Sequence, residues 1–381
     1  MWPYWAMFLL PASMAFLENS SGGNAARLRP VRLDPAWLSV SLLIALMIGW
    51  RFQVGADWDT YLDMLYGVNN SDLVKVLTKE DPGYMLVNWL SAEMDWGIYG
   101  VNLICGAIFV FGLGVFCRSQ SRPWLALTVA IPYMVIVVAM GYTRQGVALA
   151  LAMLGLVALR NRSTLWFVAW IALATTFHKS AVLLLPLAAL AATRNRYWTA
   201  AWVGLTGLVL YNLLLAQDVE ALYTNYVLAQ YESQGTLQRL LMNALPAVVL
   251  LIFRRRFQFP ESEARLWMWF AIFSLAMLGL FFATPASTAL DRVGLYLLPL
   301  QLVVFAHLPD VFGTIGKREK APKAAVLPYS GARRRTTVKD VQLLTAAVLL
   351  YYGAVLFVWL NYAATAFKWV PYGFYPLESS F

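Results

Sequence analysis

The sequence predicts an all-α protein with about twelve transmembrane helices, and three observations support this fold class. Of the 381 residues, 60% are apolar and 13% are charged, which is typical of a chain whose solvent is mostly lipid. Apolar runs close to the length of a membrane span recur along the whole sequence. Basic residues are concentrated in alternate connections between these runs. We therefore expect a single polytopic transmembrane domain over residues 1–381.

Twelve apolar segments define the expected helices, since roughly 20 residues of helix cross a hydrocarbon core. They are residues 2–17, 36–50, 98–117, 124–140, 145–159, 164–177, 179–192, 198–216, 239–253, 266–283, 293–309 and 341–361. No basic region precedes the first segment, so we do not expect a cleaved signal peptide. Cys105 and Cys117 lie in one expected helix, roughly 18 Å apart, which is too far for a disulfide.

The distribution of basic residues predicts the orientation of the chain. Connections that follow the odd-numbered segments carry 21 of the 29 lysines and arginines, so these connections are expected to be cytoplasmic. The longest is a basic loop at 310–340, expected near anionic lipid head groups. The outer side then holds a first large loop at 51–97, a second at 217–238 and a C-terminal tail at 362–381. This topology explains the net charge of +9 without a nucleic-acid partner.

The first outer loop is strongly acidic. Between Asp57 and Asp95 it has eight carboxylates and two lysines. Asp81-Pro82 predicts the start of a helix, with Asp81 either as its N-cap or as a functional carboxylate. Asp57-x-Asp59 is a pattern that can hold a divalent metal near a diphosphate, although arginines can supply the same counter-charge. We expect no cofactor and no metal, with a divalent ion at Asp57 and Asp59 as the alternative.

Eight basic residues remain on the expected outer side, where the positive-inside rule disfavours them. They are Arg51, Lys75, Lys79, Arg144, Lys179, Arg239, Arg292 and Lys368. For each of these basic residues, three explanations of its position stay open: a function, snorkelling of the side chain to the membrane surface, or pairing with a carboxylate. His178 precedes Lys179 at the same boundary. The other histidine, His307, lies at an expected cytoplasmic helix end, and we interpret it as structural.

These outer residues suit a substrate with an anionic group anchored in lipid and a polar part outside. Arginine binds phosphate through two parallel hydrogen bonds. Glycosyl transfer from a lipid pyrophosphate needs cations that stabilise the departing pyrophosphate and a base that deprotonates an acceptor hydroxyl. The candidate cations are Arg144 and Arg292, with Arg51 and Lys179 as further candidates. The candidate bases are Asp57, Asp59, Asp81 and His178.

Several short motifs occur in a fixed order along nearly the whole chain. They are Arg51…Gly55-x-Asp57…Tyr61, Glu80-Asp81-Pro82-Gly83-Tyr84…Asn88, Arg144-Gln145, Phe177-His178-Lys179-Ser180, Asp291-Arg292 and Val370-Pro371-Tyr372. In this order they resemble the EpsG family, which comprises Wzy-like polymerases of bacterial exopolysaccharide and O-antigen. The basic loop at 310–340 is not part of the resemblance.

The resemblance implies a membrane glycosyltransferase of the C type whose periplasmic loops form the active site. It implies polymerisation of repeat units linked to undecaprenyl pyrophosphate, at the periplasmic face of a bacterial inner membrane. The growing glycan would move from its carrier to the non-reducing end of a new lipid-linked unit. Membrane lipid, a co-polymerase and a flippase are implied as partners.

The motif positions of the resemblance, the outer basic residues and the Asp57-x-Asp59 pattern give two sets of candidate site residues. The expected catalytic residues are Asp57, Asp81, Arg144, His178 and Arg292. The residues expected to bind pyrophosphate or glycan are Arg51, Asp59, Tyr61, Tyr84, Lys179, Arg239, Asp291 and Tyr372.

Three other functions remain open from the sequence. A ligase that passes a finished glycan to another acceptor would use the same face. A flippase or other transporter more often has ionisable groups in mid-helix and internally repeated halves, and neither stands out here. A structural subunit of a polysaccharide machine would not need arginine, histidine and aspartate together at one face.

Overall fold

The computed structural model describes residues 1–18, 34–69, 71–191, 196–214, 235–284, 287–313 and 338–378. Within these ranges the regular structure is helical, apart from one two-stranded sheet. Most of the second outer loop and of the basic loop lie outside the described residues, at 215–234 and 314–337. The expectations for those segments therefore stay predictions.

The helices follow the apolar segments closely. They are α1 (Trp2–Leu17), α2 (Pro35–Gly49), α3 (Trp58–Tyr66), α4 (Leu73–Leu77), α5 (Pro82–Glu93), α6 (Gly97–Arg118), α7 (Pro123–Ala130), α8 (Thr143–Arg160), α9 (Thr164–Phe177), α10 (Pro186–Ala191), α11 (Arg196–Leu214), α12 (Thr236–Phe253), α13 (Glu261–Ala283), α14 (Ser287–Gly294), α15 (Pro299–Phe312), α16 (Val338–Tyr362) and α17 (Tyr375–Glu378). A π-helix, Ile131–Ala139, continues α7, and 3-10 helices form at Lys179–Leu184, Leu295–Leu297 and Ala366–Lys368.

Five of the described helices are long and apolar enough to cross a membrane: α6, α8, α12, α13 and α16. A sixth span results if α14 and α15, which meet at a bend of 43°, are counted as one. Pro299 at the bend lacks a backbone N–H, so a straight helix cannot continue through it. The chain is therefore an all-α membrane protein, while the count of twelve spans remains a prediction.

Two predicted helices differ in the structure. The expected helix over 293–309 is interrupted by the 3-10 helix Leu295–Leu297 and by the bend at Pro299. The sequence favours a continuous helix over 179–192, but the described residues form a 3-10 helix, Lys179–Leu184, followed by the short α10. Pro186 lies at the break and contributes to it, because proline lacks the backbone N–H that a continuous α-helix would need there.

Helix α8 lies at the centre of the bundle, packed between α6 and α9. Its sequence is rich in alanine and glycine, which permits close approach of neighbouring backbones. Gly112 of α6 lies directly against Ala150 of α8, and a Cβ at Gly112 would meet the Ala150 carbonyl oxygen at 2.5 Å. This close contact holds the middle of α8 against α6.

The connections predicted to be cytoplasmic converge at one end of the bundle. Arg122, before α7, pairs with Asp310 of α15 at 2.9 Å. Arg160 of α8 pairs with Glu263 of α13 at 3.1 Å. His307 contacts only protein groups among the described residues: its Nδ1 lies 2.8 Å from the Val303 carbonyl oxygen and its ring packs edge-on against Phe259, which agrees with the structural interpretation. Within the described residues these contacts agree with the predicted alternation of ends, while the side of the membrane on which each end lies stays a prediction.

The C-terminal tail returns to the opposite end. Strand β2 (Gly373–Phe374) pairs antiparallel with strand β1 (Arg51–Phe52). Trp369 is 1% exposed and donates its indole N–H to the carbonyl oxygen of Ile136, in the π-helix, at 2.8 Å. The tail is therefore tied to both the first loop and the α7–α8 connection.

Candidate functional site

Four connections of different helices meet at this second end of the bundle. They are the first loop around Asp57 and Asp81, the α7–α8 connection before Arg144, the residues after α9, and helix α14. Three contacts join them: Arg144 to Asp81, Arg292 to Gln145, and Ser180 to Tyr296. Most of the motifs that the sequence scatters over the chain are thus neighbours in space, and we define this cluster as the candidate site.

Asp81 and Arg144 form a salt bridge within the site. Arg144 Nη1 lies 2.7 Å from Asp81 Oδ2, and Asp81 is 5% exposed. Oδ1 of Asp81 is buried and has no hydrogen-bond partner in the described part of the chain. Burial raises the Asp81 pKa to about 6, against the lowering effect of Arg144 and Lys179. Arg144 thus holds the Asp81 carboxylate at the site through Oδ2, while Oδ1 accepts no hydrogen bond from a described residue.

The predicted cap role of Asp81 is wrong in one respect. Helix α5 does begin at Pro82, and Asp81 occupies the N-cap position. Its side chain makes no capping hydrogen bond, because its carboxylate pairs with Arg144 instead. Asp81 also has a left-handed backbone with φ of 51°, which is uncommon for a residue with a side chain and is often found at functional sites.

Asp57 precedes α3 and is half-buried. Its carboxylate makes no hydrogen bond to any described residue. Burial raises the pKa of Asp57, while the charges of Arg292 and Arg144 lower it. Asp57 is therefore a carboxylate placed in the field of two arginines without being bonded to either.

Arg292 lacks an ion-pair partner among the residues that the structure describes. Its guanidinium lies over the Tyr142 ring, 4.8 Å from the centroid, and Nη1 donates to Gln145 Oε1 at 3.2 Å. Gln145 Nε2 donates to the Arg292 carbonyl oxygen at 2.7 Å. The side-chain contacts of Arg292 are thus with neutral groups, the Tyr142 ring and the Gln145 amide. No bonded carboxylate among the described residues neutralises its charge.

The other cations of the site are paired. Arg239 of α12 forms a close ion pair with Asp291 of α14. Lys179 lies 3.6 Å from Glu80, whose carboxylate is mostly exposed. The Arg239–Asp291 pair links α12 to α14 beside Arg292 and so helps to position it.

His178 follows α9 and caps the 3-10 helix after it. Its Nδ1 accepts a hydrogen bond from the Ser180 backbone N–H at 3.3 Å and lies 2.9 Å from Ser180 Oγ. Ser180 Oγ in turn lies 3.3 Å from the Tyr296 hydroxyl. Burial, then the charges of Arg144, Arg292 and Lys179, lower the His178 pKa to about 3, so the ring is neutral at physiological pH.

The rings of Tyr61 and Tyr84 are neighbours, with centroids 5.6 Å apart. Both are buried. The Tyr84 hydroxyl has no hydrogen-bond partner among the described residues. The charges of Asp57, Arg144 and Arg292 act on the Tyr61 hydroxyl, so this ring lies near the charged groups of the site.

Two predicted substrate-binding residues bind the protein itself in this structure. Arg51 is 1% exposed and donates to the carbonyl oxygens of Ile48 and Val54, to Asn102 Oδ1 and to Thr143 Oγ1. The Tyr372 hydroxyl donates to the Met47 carbonyl oxygen at 2.6 Å. Both side chains fasten the chain segments around the site.

Asp59 lies on the exposed side of α3, away from the half-buried Asp57. Residues two apart at the start of a helix do not share a face. No group of three or more histidine, cysteine or carboxylate residues suited to a metal ion occurs in the described part of the chain. The expectation of no metal, and its alternative at Asp57 and Asp59, both stay predictions.

Sequence reasoning missed three residues that shape the site: Tyr142, Gln145 and Tyr296. Gln145 had a usable signal, since it follows Arg144 within a motif of the resemblance. Tyr142 and Tyr296 had no such signal. Tyrosines are frequent at membrane interfaces, so their presence there does not indicate a site. Their contacts to Arg292 and Ser180 depend on residues more than 100 positions away.

The model of the EpsG family matches residues 36–331 of the chain, more than three quarters of its length. This family comprises Wzy-like polysaccharide polymerases. The matched range contains every residue of the candidate site and ends before α16 and the Val370-Pro371-Tyr372 motif. No curated protein and no solved structure matches the chain.

Proposed function

Because this chain belongs to the EpsG family of polysaccharide polymerases, we propose that it polymerises oligosaccharide repeat units linked to undecaprenyl pyrophosphate. In this proposal the growing glycan is transferred from its lipid pyrophosphate to the non-reducing-end hydroxyl of a new lipid-linked unit. The enzyme is then a membrane glycosyltransferase of the Wzy type. Its reaction needs a pyrophosphate-binding group and a base side by side.

The observation that carries the proposal is the relation between Arg292 and Asp57. Arg292 has no ion pair among the described residues, so a phosphate oxygen can bind it without displacing a carboxylate. Asp57 makes no hydrogen bond to a described residue, so its oxygens are available to a hydroxyl proton. The charge of Arg292 lowers the pKa of Asp57, which supports the two side chains facing the same substrate.

The chemistry follows from these two roles. The acceptor hydroxyl oxygen forms a bond to the anomeric carbon of the growing glycan, and Asp57 takes the hydroxyl proton. The bond from that carbon to the pyrophosphate oxygen breaks, and its electron pair leaves with the pyrophosphate. Arg292, and Arg144 held by Asp81, stabilise the negative charge that develops there.

Asp57 is the favoured base among the four candidates. Asp59 is exposed and lies outside the cluster, and Asp81 is already bonded to Arg144. The lone pair of His178 Nδ1 is directed to the Ser180 N–H. In this proposal Asp81 acts as the residue that orients Arg144, and no metal is required because the arginines supply the counter-charge.

The membrane arrangement is part of the same proposal. The end with the Arg122–Asp310 and Arg160–Glu263 pairs is assigned to the cytoplasm because the basic connections converge there. The candidate site then faces the periplasm of a bacterial inner membrane, with about twelve spans in total. A flippase would deliver the lipid-linked unit to this face, and a co-polymerase would set chain length.

The test uses purified protein in detergent with a lipid-pyrophosphate-linked oligosaccharide, analysed on a gel. The expected result is a ladder whose products differ by one repeat unit. Transfer of the oligosaccharide to a lipid A core acceptor, without a ladder, would identify a ligase instead. Movement of the lipid across a liposome bilayer without any product would identify a flippase.

A further inference from the structure

His178 has a defined tautomer in this structure. A backbone N–H can only donate, so the Ser180 N–H that bonds His178 Nδ1 requires a lone pair on that nitrogen. The neutral ring must then carry its proton on Nε2. His307 has the opposite tautomer, because its Nδ1 faces the Val303 carbonyl oxygen, which can only accept.

This tautomer does not suit a general base. A base needs a free lone pair directed at the substrate, but the only lone pair of neutral His178 is occupied by Ser180. The remaining nitrogen, Nε2, offers a proton and makes no hydrogen bond to a described residue. His178 is therefore chemically a hydrogen-bond donor.

The surroundings indicate what such a donor binds. Arg144, Arg292 and Lys179 are the charges that act on the ring, and all three are positive. They oppose a second proton on the imidazole, so the ring stays neutral. They also favour an anionic oxygen as the acceptor, and a neutral N–H beside three cations adds a directed bond without further charge repulsion.

We propose that His178 donates its Nε2 hydrogen to a phosphoryl oxygen of the lipid pyrophosphate, and that Ser180 is the positioning residue that fixes this tautomer. The inference rests on the proposed function, because it takes the pyrophosphate of that reaction as the ligand. Tyr296, whose hydroxyl lies beside Ser180 Oγ, supports Ser180 from α14's 3-10 extension.

Two substitutions separate donation from capping. In His178→Gln the side-chain amide nitrogen reaches the position of Nε2 and keeps a donor there. In His178→Asn the shorter side chain reaches only the position of Nδ1, so it keeps the cap to the Ser180 N–H and loses the donor. The pair therefore distinguishes a substrate contact from a purely structural histidine.

We expect His178→Gln to retain polymerase activity within about tenfold of the unaltered protein, and His178→Asn to lose roughly a further tenfold to hundredfold, the cost of one hydrogen bond to a charged group. The inference is overturned if the asparagine variant is as active as the glutamine variant, since capping alone would then suffice. It is also overturned if both variants are folded and inactive, since a base would then be required.

A spectroscopic measurement tests the tautomer without relying on activity. The chain has only two histidines, so ¹⁵N-histidine labelling gives two resolvable imidazoles, assigned with His307→Gln. We expect His178 to carry its proton on Nε2 from pH 5 to 8, and added inorganic pyrophosphate to shift that N–H signal. Ser180→Ala keeps the backbone N–H that bonds Nδ1, so we expect the same Nε2–H tautomer in it; Ser180→Pro, which removes this N–H, should give a mixture of tautomers.

The outcomes separate this inference from the proposed function. An Nε2–H tautomer with a pyrophosphate-dependent shift, but no polymer ladder, would contradict the polymerase while leaving the anion contact established. A ladder together with an Nδ1–H tautomer or an imidazolium at neutral pH would contradict the inference and leave the polymerase standing.

Discussion

Arg144 Nη1 donates to Asp81 Oδ2 at 2.7 Å, although the two residues are 63 positions apart. The bond joins the first loop to the start of α8 and directs the guanidinium across the site. Arg144 keeps part of its surface exposed, whereas Asp81 is almost fully buried. The arginine therefore remains accessible to a substrate while its aspartate partner is held by the protein.

Breaking this pair should affect both stability and activity. In Asp81→Asn the arginine loses its counter-ion, and in Arg144→Gln a buried carboxylate is left without one. We expect each change to lower the free energy of unfolding by about 2 kcal/mol, less than a fully buried pair because Arg144 is 23% exposed. Thermal unfolding in detergent measures this.

The double variant Asp81→Asn/Arg144→Gln should recover part of the lost stability, since neither charge is then left alone. It should not recover polymer formation, since the pyrophosphate still lacks Arg144. Full recovery of activity would show that the pair has only a structural role.

Arg292 is the second arginine to test. Arg292→Ala should reduce kcat/KM by about 100- to 1000-fold, as expected when one preorganised donor to a developing negative charge is removed. Arg292→Lys should restore only a small part, because an ammonium cannot bind phosphate through two parallel hydrogen bonds. Product ladders from purified variants give the measurement.

Arg265→Ala is the matched control for Arg292. It also removes one arginine, but Arg265 lies on α13 at the opposite end and pairs with Glu261 of the same helix. We expect wild-type chain length from it. A similar loss in both variants would mean that net charge, rather than the position of Arg292, is responsible.

The pH dependence tests Asp57 as the base. Burial raises its pKa above the ordinary aspartate value of about 4, so the carboxylate becomes protonated at a higher pH than usual. A base must be deprotonated, so kcat/KM should fall tenfold per pH unit below that raised pKa and level off above it. Asp57→Asn should abolish this acid limb and lower the plateau by about 100- to 10000-fold.

Asp59→Asn serves as the control, because Asp59 is two residues away but exposed. We expect it to keep both the acid limb and the plateau. An unchanged acid limb in Asp57→Asn would instead assign the titration to another group, of which Asp81 is the nearest candidate by its raised pKa.

Removal of divalent metal gives a further prediction. Because arginines supply the positive charge at the site, EDTA should leave polymerisation unchanged. Loss of activity that added magnesium restores, together with inactivity of Asp59→Asn, would establish Asp57 and Asp59 as metal ligands. The two carboxylates would then need to turn towards each other from their positions in this structure.

The positions of the long helices could be predicted from the sequence. Long apolar runs can only be helices in lipid, so the predicted segment 164–177 coincides with α9 and 98–117 differs from α6 by one residue at each end. The first loop was less predictable: α3 and α4 are short, and their formation depends on packing against α5 and α6.

Several charged residues of the candidate site could be predicted from the sequence, but not how they pair, and not the contacts of Tyr142, Gln145 and Tyr296. The sequence predicted five residues of the site: Asp57, Asp81, Arg144, His178 and Arg292. Ionisable groups are unfavourable at the membrane boundary, so their presence there indicated a function. That Asp81 binds Arg144 while Asp57 does not depends on the left-handed backbone of Asp81 and on the buried position of α8. Local sequence gives no sign of either, so Asp81 was equally consistent with a helix cap.

Trp369 connects the tail to the site and gives the last prediction. Its ring fills the space beside Gly141, where a Cβ would overlap the indole, and Gly141 precedes the Tyr142 that stacks on Arg292. Trp369→Phe should cost about 1 kcal/mol for the hydrogen bond to Ile136, whereas Trp369→Ala should cost about 3–5 kcal/mol for the lost packing. Gly141→Ala should resemble Trp369→Ala in thermal unfolding, because it forces the same ring out of place. If the tail also fixes Tyr142, both variants should lose polymer formation at temperatures where they remain folded. Normal product ladders from a folded Trp369→Ala variant would show instead that the tail only stabilises the bundle.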